Sequence, residues 1–124
     1  MESKSRINVW TTLKDRVTDS LEEEGKKLRI TLLEIEQLSN TIEELSKIKG
    51  DYHPDHLALS EGSASIGQIQ RNWNFVANIE DAIRKTNEQR LFLKKKERDL
   101  RAQCANLEVE VKKYETLEDR ALSK

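Results

Sequence analysis

The sequence predicts an all-α protein, a long two-helix antiparallel coiled-coil hairpin that forms one domain over residues 1–124. Three observations predict it. Apolar residues recur about every 3.5 positions along two long stretches. Charged residues of both signs, 36% of the chain, fill the positions between them. One cluster of helix-breaking residues separates the stretches.

The first helix is predicted over about residues 8–50. Its apolar positions are Trp10, Leu13, Val17, Leu21, Leu28, Ile35, Leu38, Ile42 and Leu45. Thr12 with Asp15 has the spacing of a capping box, although Val9 and Trp10 already lie on the pattern. Gly50, Asp51 and Pro54 end the helix, because glycine accepts the left-handed cap conformation and proline has no amide to donate. The connection, about 51–65, holds Tyr52, His53, His56, Gly62 and several serines.

Ser65 is the predicted N-cap of the second helix, with Gln68 reaching back to complete a capping box. This helix is predicted over about 66–122. Its stripe runs through Ile69, Val76, Ile79, Ile83, Leu93, Leu100, Cys104, Leu107, Val111 and Tyr114. At 1.5 Å per residue the two helices have lengths of about 60 and 75 Å.

Each stripe is too narrow for a globular bundle and too apolar to remain in water, so the economical arrangement folds one onto the other. Each aliphatic side chain fully buried in this way contributes about 1.5–3 kcal/mol before the cost of chain ordering. A parallel dimer has the same heptad pattern, and the capped break is what favours the hairpin. Folding about a centre near residue 59 sets Ile42 near Val76 and Ile35 near Ile83. Thr31, Thr86, Arg90 and Glu97 fall on or near this seam, and Gly25 costs about 1 kcal/mol relative to alanine. With that centre Gly25 and Arg90 are level, which predicts a loose section and pairing of Arg90 with Glu23 or Glu24.

The balance of 22 Lys plus Arg against 23 Asp plus Glu gives no overall attraction to nucleic acid or to an anionic membrane. The N-terminal MESKSRINVW has no signal-like apolar core, and no apolar run reaches about 18 residues. A cytoplasmic protein with no direct membrane insertion is expected. The lone Cys104 is expected in the seam in a reducing compartment.

No catalytic, cofactor or metal site is expected. His53 and His56, with Asp51 and Asp55, make a weak ligand set for a metal that asks for four good donors. There is no glycine-rich phosphate cradle and no base placed beside the cysteine or a serine. A two-helix coil also lacks the enclosed pocket that tunes a catalytic carboxyl.

Two surfaces stand out. Arg84 to Arg98, with Lys94, Lys95 and Lys96, is locally basic and reads as a solvated face, a docking patch for an acidic protein, or a nucleic-acid stripe. Glu88 and Glu97 within the run, and the lack of a stacking platform, oppose the last reading. Phe75, Ile79, Ala82 and Thr86 repeat at helical spacing, with Phe75 turned about 100° from the seam residue Val76. Phe75 is then either available to a partner or folded over Tyr52 as local core. Trp10, Tyr114 and Leu117 are expected to cluster where the two chain ends meet.

FVANIEDAI at 75–83 and YETLEDR at 114–120 resemble two segments of the FliJ/YscO family, the coiled-coil stalk proteins of flagellar and virulence type III secretion. Flagellar relatives have similar F-[IV]-x-x-[IL]-E-x-A-I and W-x-T-L-x-[DE]-R segments at about the same separation, and Leu13, Lys14 and Asp15 are similar to part of their N-terminal region. The likeness spans nearly the whole chain. Thr86 stands where flagellar members tend to have histidine, and the chain is shorter after YETLEDR, which points to a virulence-type or divergent member.

The resemblance implies a hairpin similar to the coiled-coil part of the ATP synthase γ subunit. It implies binding to a hexameric secretion ATPase and to an export gate protein, with secretion chaperones as further partners. By motif match, Phe75, Ile79 and Ala82 are candidate gate contacts, and Thr86, where the chain departs from the family pattern, joins them only as a candidate of the partner-binding stripe. Tyr114, Leu117 and Arg120 are candidates for the ATPase end. A generic coiled-coil adaptor or chaperone, and more distantly a nucleic-acid-binding coil, are the alternative readings.

Overall fold

A computed structural model describes residues 2–52 and 66–123 of the chain, and the side chains from residue 9 onward. The described residues form two long helices, α1 over Glu2–Asp51 and α2 over Ile66–Leu122. The fold is all-α, with the two helices antiparallel in each of two compact units. One unit is Leu33–Lys94, and the other joins Met1–Leu32 to Lys95–Lys124.

α1 begins at Glu2, before the predicted start near residue 8, and passes helically through Thr12 and Asp15. Thr12 is therefore an exposed interior position and not a cap. Extending a helix through polar residues adds one backbone bond per residue after nucleation and needs no apolar packing, so the start of the stripe does not mark the start of the helix. At the other end, the Tyr52 amide donates to the Ile48 carbonyl at 3.1 Å. Lys49 in the last turn lies at the negative end of the helix dipole. α2 runs from Ile66, the first residue described after the connection, and includes Gly67. The expected Ser65 cap and the loop histidines His53 and His56 lie outside the described residues.

The predicted seam is the protected face. Every residue of the two predicted apolar stripes is buried or half-buried. Thr31, Val76 and Leu100 are the most protected, at 1%, 1% and 6% exposure. So few fully buried residues among those described is what a two-helix seam with open flanks produces. Thr31 is buried without an unpaired hydroxyl, because its Oγ1 donates to the Lys27 carbonyl at 2.9 Å. Thr86 makes the same bond back to Ala82 at 2.8 Å.

The register differs from the one expected. In the 33–94 unit the pairs Ser39 with Arg90, Lys49 with Glu80, and Tyr52 with Phe75 all centre near residue 64, not 59. Ile42 is therefore level with Thr86 rather than Val76, and Ile35 with Leu93 rather than Ile83. Arg90 lies in this unit, whereas its expected neighbours Glu23, Glu24 and Gly25 lie in the other. The Arg90 guanidinium donates to Ser39 Oγ at 3.3 Å and to Asn87 Oδ1 at 2.7 Å.

Candidate functional site

In the 33–94 unit, α2 opens with an aromatic cluster. The Phe75 ring meets the Tyr52 ring edge-on, with centroids 5.1 Å apart and planes at 65°. Phe75 nevertheless remains 40% exposed, so the local-core and open-surface readings each describe part of this side chain. Ile79, Ala82 and Thr86 are half-buried toward the seam. The four-residue candidate stripe thus has one exposed member and three that support the helix pairing. Trp73 and Ile66 are also exposed on the first turns of α2.

Further along this unit, the Lys49 ammonium pairs across the helices with Glu80 at 3.4 Å. Asp81 accepts from Lys85 at 3.1 Å and from Arg84 on its own helix. The Lys85 hydrogen bond and charge, with Arg84 beside it, hold the Asp81 carboxyl below its ordinary range. Arg90 has its Nε buried without a partner among the described residues. Among the described residues, no carboxylate is in an ion pair with that guanidinium.

The other unit closes differently. Trp10 stacks on Tyr114 with centroids 6.1 Å apart and planes at 27°, the cluster expected from the sequence. Lys113 Nζ sits 5.9 Å from the Tyr114 centroid, at the outer limit of a cation–π contact. Leu117 is half-buried and Arg120 exposed. One residue after Leu117, Glu118 joins the helices: Thr11 Oγ1 donates to Glu118 Oε2 at 2.6 Å and Lys14 Nζ to Oε1 at 3.2 Å. The Thr11 bond, then the Lys14 bond, hold the Glu118 carboxyl below its ordinary value, and Glu118 in turn raises Lys14. Sequence reasoning missed this cluster. Its only signal was a threonine and a lysine three apart on one helix and a glutamate on the other, which has meaning only once the register is known.

Lys94, Lys95 and Lys96 are all exposed and make no ion pair among the described residues. Lys94 belongs to the 33–94 unit and the other two lysines to its companion. Among the described residues, no group of three or more His, Cys, Asp or Glu could hold a metal ion. Among the described residues, no helix is long and apolar enough to cross a membrane.

No family model, curated protein or solved structure matches the chain. The surfaces must therefore be interpreted from their own chemistry and from the two sequence segments. Both segments stand on α2, at 75–83 and 114–120. Each includes one residue of an aromatic pair that joins the helices, Phe75 against Tyr52 and Tyr114 against Trp10. The first pair leaves its rings partly open to water. The second is half-buried.

Proposed function

We propose that this chain is a non-enzymatic stalk of a type III secretion export apparatus, binding the hexameric secretion ATPase and coupling it to the export gate. The resemblance of FVANIEDAI and YETLEDR to the corresponding family segments, on one helix and at about the family's separation, is the observation that carries this reading. Antiparallel pairing of the helices in each unit supports it. So does the Trp10–Tyr114 stack, which ties the helix carrying YETLEDR to the N-terminal part of α1. Phe75 is the residue of the first segment best placed to bury area against a gate protein, while Tyr114 and Leu117 hold the second segment in shape and Arg120 faces outward.

Such a stalk needs no nucleotide chemistry of its own. A protein that binds several ATPase subunits together, and binds them less well apart, favours the assembled ring by linkage. The test is to titrate the full chain into the secretion ATPase encoded in the same genome, following both ATP hydrolysis and ring formation. Stimulation together with assembly is the expected result. A folded chain that neither binds the ATPase nor changes its rate overturns the proposal and leaves the adaptor or chaperone reading. Phe75→Ala should reduce gate binding at an unchanged melting temperature; a large loss of helicity instead would make Phe75 a core residue.

A further inference from the structure

The 33–94 unit carries a trough of about 570 Å³ beside the seam. The half-buried Leu38 and Leu93 form its apolar base, and Phe92, 71% exposed, forms a wall. Glu34 and Gln37 line it from α1, and Glu88 and Gln89 from α2. Helical spacing explains why they share a face: Glu34 precedes Leu38 by four residues, and Glu88 and Gln89 precede Phe92 by four and three. The Phe92 ring is exposed and lies off the protected stripe.

The charges specify the complement. The lining contains two carboxylates, one from each helix, and no cation. Neither Glu34 nor Glu88 is in an ion pair among the described residues. A ligand that covers the apolar base therefore gains most if it places positive charge on both of its flanks. A small molecule would be poorly enclosed beside so exposed a ring, and a phosphate backbone would meet two like charges. A helix with one apolar stripe has the right form, because it can set a third row of side chains along the open flank of a two-helix seam.

We propose that this trough binds a single amphipathic helix of a partner protein, with its apolar stripe on Leu38, Phe92 and Leu93 and its flanking Lys or Arg side chains paired with Glu34 and Glu88. The inference is independent of the secretion reading, since it uses none of the resembling segments.

The probe is a labelled synthetic helix with leucine at heptad positions a and d and lysine at e and g, compared with the same helix carrying glutamate at e and g. Anisotropy titrations of the full chain should show the lysine peptide binding at least about tenfold more tightly at low salt, and the preference should shrink as salt is added. Phe92→Ala should weaken that binding by about tenfold or more with helicity unchanged, as expected for a central aromatic anchor. The double variant Glu34→Lys with Glu88→Lys should reverse the preference toward the glutamate peptide. Both carboxylates are exposed, so this variant carries the test even if the phenylalanine variant loses helicity.

Equal affinity for the two peptides, or a preference unmoved by the double charge reversal, overturns the proposal. So does a Phe92-dependent self-association in sedimentation that the lysine peptide cannot displace, which would make a second copy of the chain the occupant. Tighter binding of a DNA or RNA oligonucleotide than of the lysine peptide would also overturn it.

Discussion

The two compact units use their aromatic residues in opposite ways. In the unit formed by Met1–Leu32 and Lys95–Lys124, Trp10 and Tyr114 are half-buried against each other, and the adjacent Thr11, Lys14 and Glu118 add directed polar bonds across the helices. In the Leu33–Lys94 unit, Tyr52, Trp73, Phe75 and Phe92 are exposed by 49%, 47%, 40% and 71%. The cross-helix polar contacts described there include a partly exposed Lys49–Glu80 pair at 3.4 Å and an Arg90–Ser39 bond at 3.3 Å. An aromatic ring can add cohesion to a fold or area to an interface, and large exposed rings are the more common anchors of binding. The first unit half-buries its rings against each other, and the second leaves its rings more open to solvent.

If that contrast is energetic as well as geometric, the units should respond separately to damage. The largest effect is expected from Val76→Asp, which places an unpaired charge at a position 1% exposed in the 33–94 unit. The expected cost is more than about 3 kcal/mol, with amide protection lost first in that unit. Leu100→Ala, at 6% exposure in the other unit, should cost about 2–4 kcal/mol and remove protection there first. Segment-resolved hydrogen exchange measures both. Uniform loss of protection in both variants would break the comparison, because it would mean that the chain unfolds as one cooperative body.

A smaller change, of opposite sign, should sharpen it. Arg90 places a charged group beside the seam with Nε buried and unpartnered. Arg90→Met removes the orphan donor while keeping an unbranched chain to fill the space. Stability of the 33–94 unit should rise by about 1 kcal/mol in urea unfolding. A fall instead would show that the bonds to Ser39 and Asn87 outweigh the buried nitrogen. In the other unit, a Cβ added at Gly25 meets nothing within 4 Å, and the site is within a helix. Gly25→Ala should therefore stabilise by about 0.5–1 kcal/mol, through helix propensity and a less disordered unfolded chain.

These contrasts also separate what the sequence could disclose from what it could not. The stripe from Trp10 to Leu45 and that from Ile69 to Tyr114 were legible, because water selects the apolar edge of each helix whichever residues it faces. The register was not. Sliding one stripe along the other exchanges apolar neighbours for similar apolar neighbours, so periodicity leaves nearly equivalent alignments. Directional contacts distinguish among them: Ser39 meets Arg90, and Thr11 and Lys14 meet Glu118. The expected Trp10–Tyr114 contact already implied a centre near 62, and giving that pair more weight would have moved the fold point toward its observed place. The gate stripe was only partly legible for a related reason. Helical spacing groups Phe75 with Ile79, Ala82 and Thr86, but the facing helix decides how far around that group the seam extends. Phe92 escaped attention because its neighbours read as a basic run, and its trough needs Glu34 and Gln37 from the other helix to exist.

The smallest expected effect concerns Glu118, and its pH dependence gives it a distinctive signature. The Thr11 and Lys14 bonds hold the folded carboxyl below the ordinary glutamate value of 4.5. Its contribution is thus fully present above that value and is lost as pH falls through the lower folded one. Lys14 is raised above 10.5 chiefly by its bond to Glu118, so its share is present below 10.5 and lost as pH rises through the higher folded value. The difference in melting temperature between the wild type and Glu118→Gln should therefore be level from about pH 5 to about pH 10, and vanish in acid. Because the pair is partly exposed, the plateau should be low and should shrink with salt. Glutamine can still accept from Thr11, so the variant removes charge while preserving much of the bond geometry. A difference that persists undiminished below the glutamate range would assign the contact to packing around Trp10 and Tyr114, and the contrast between the units would then rest on their aromatic rings alone.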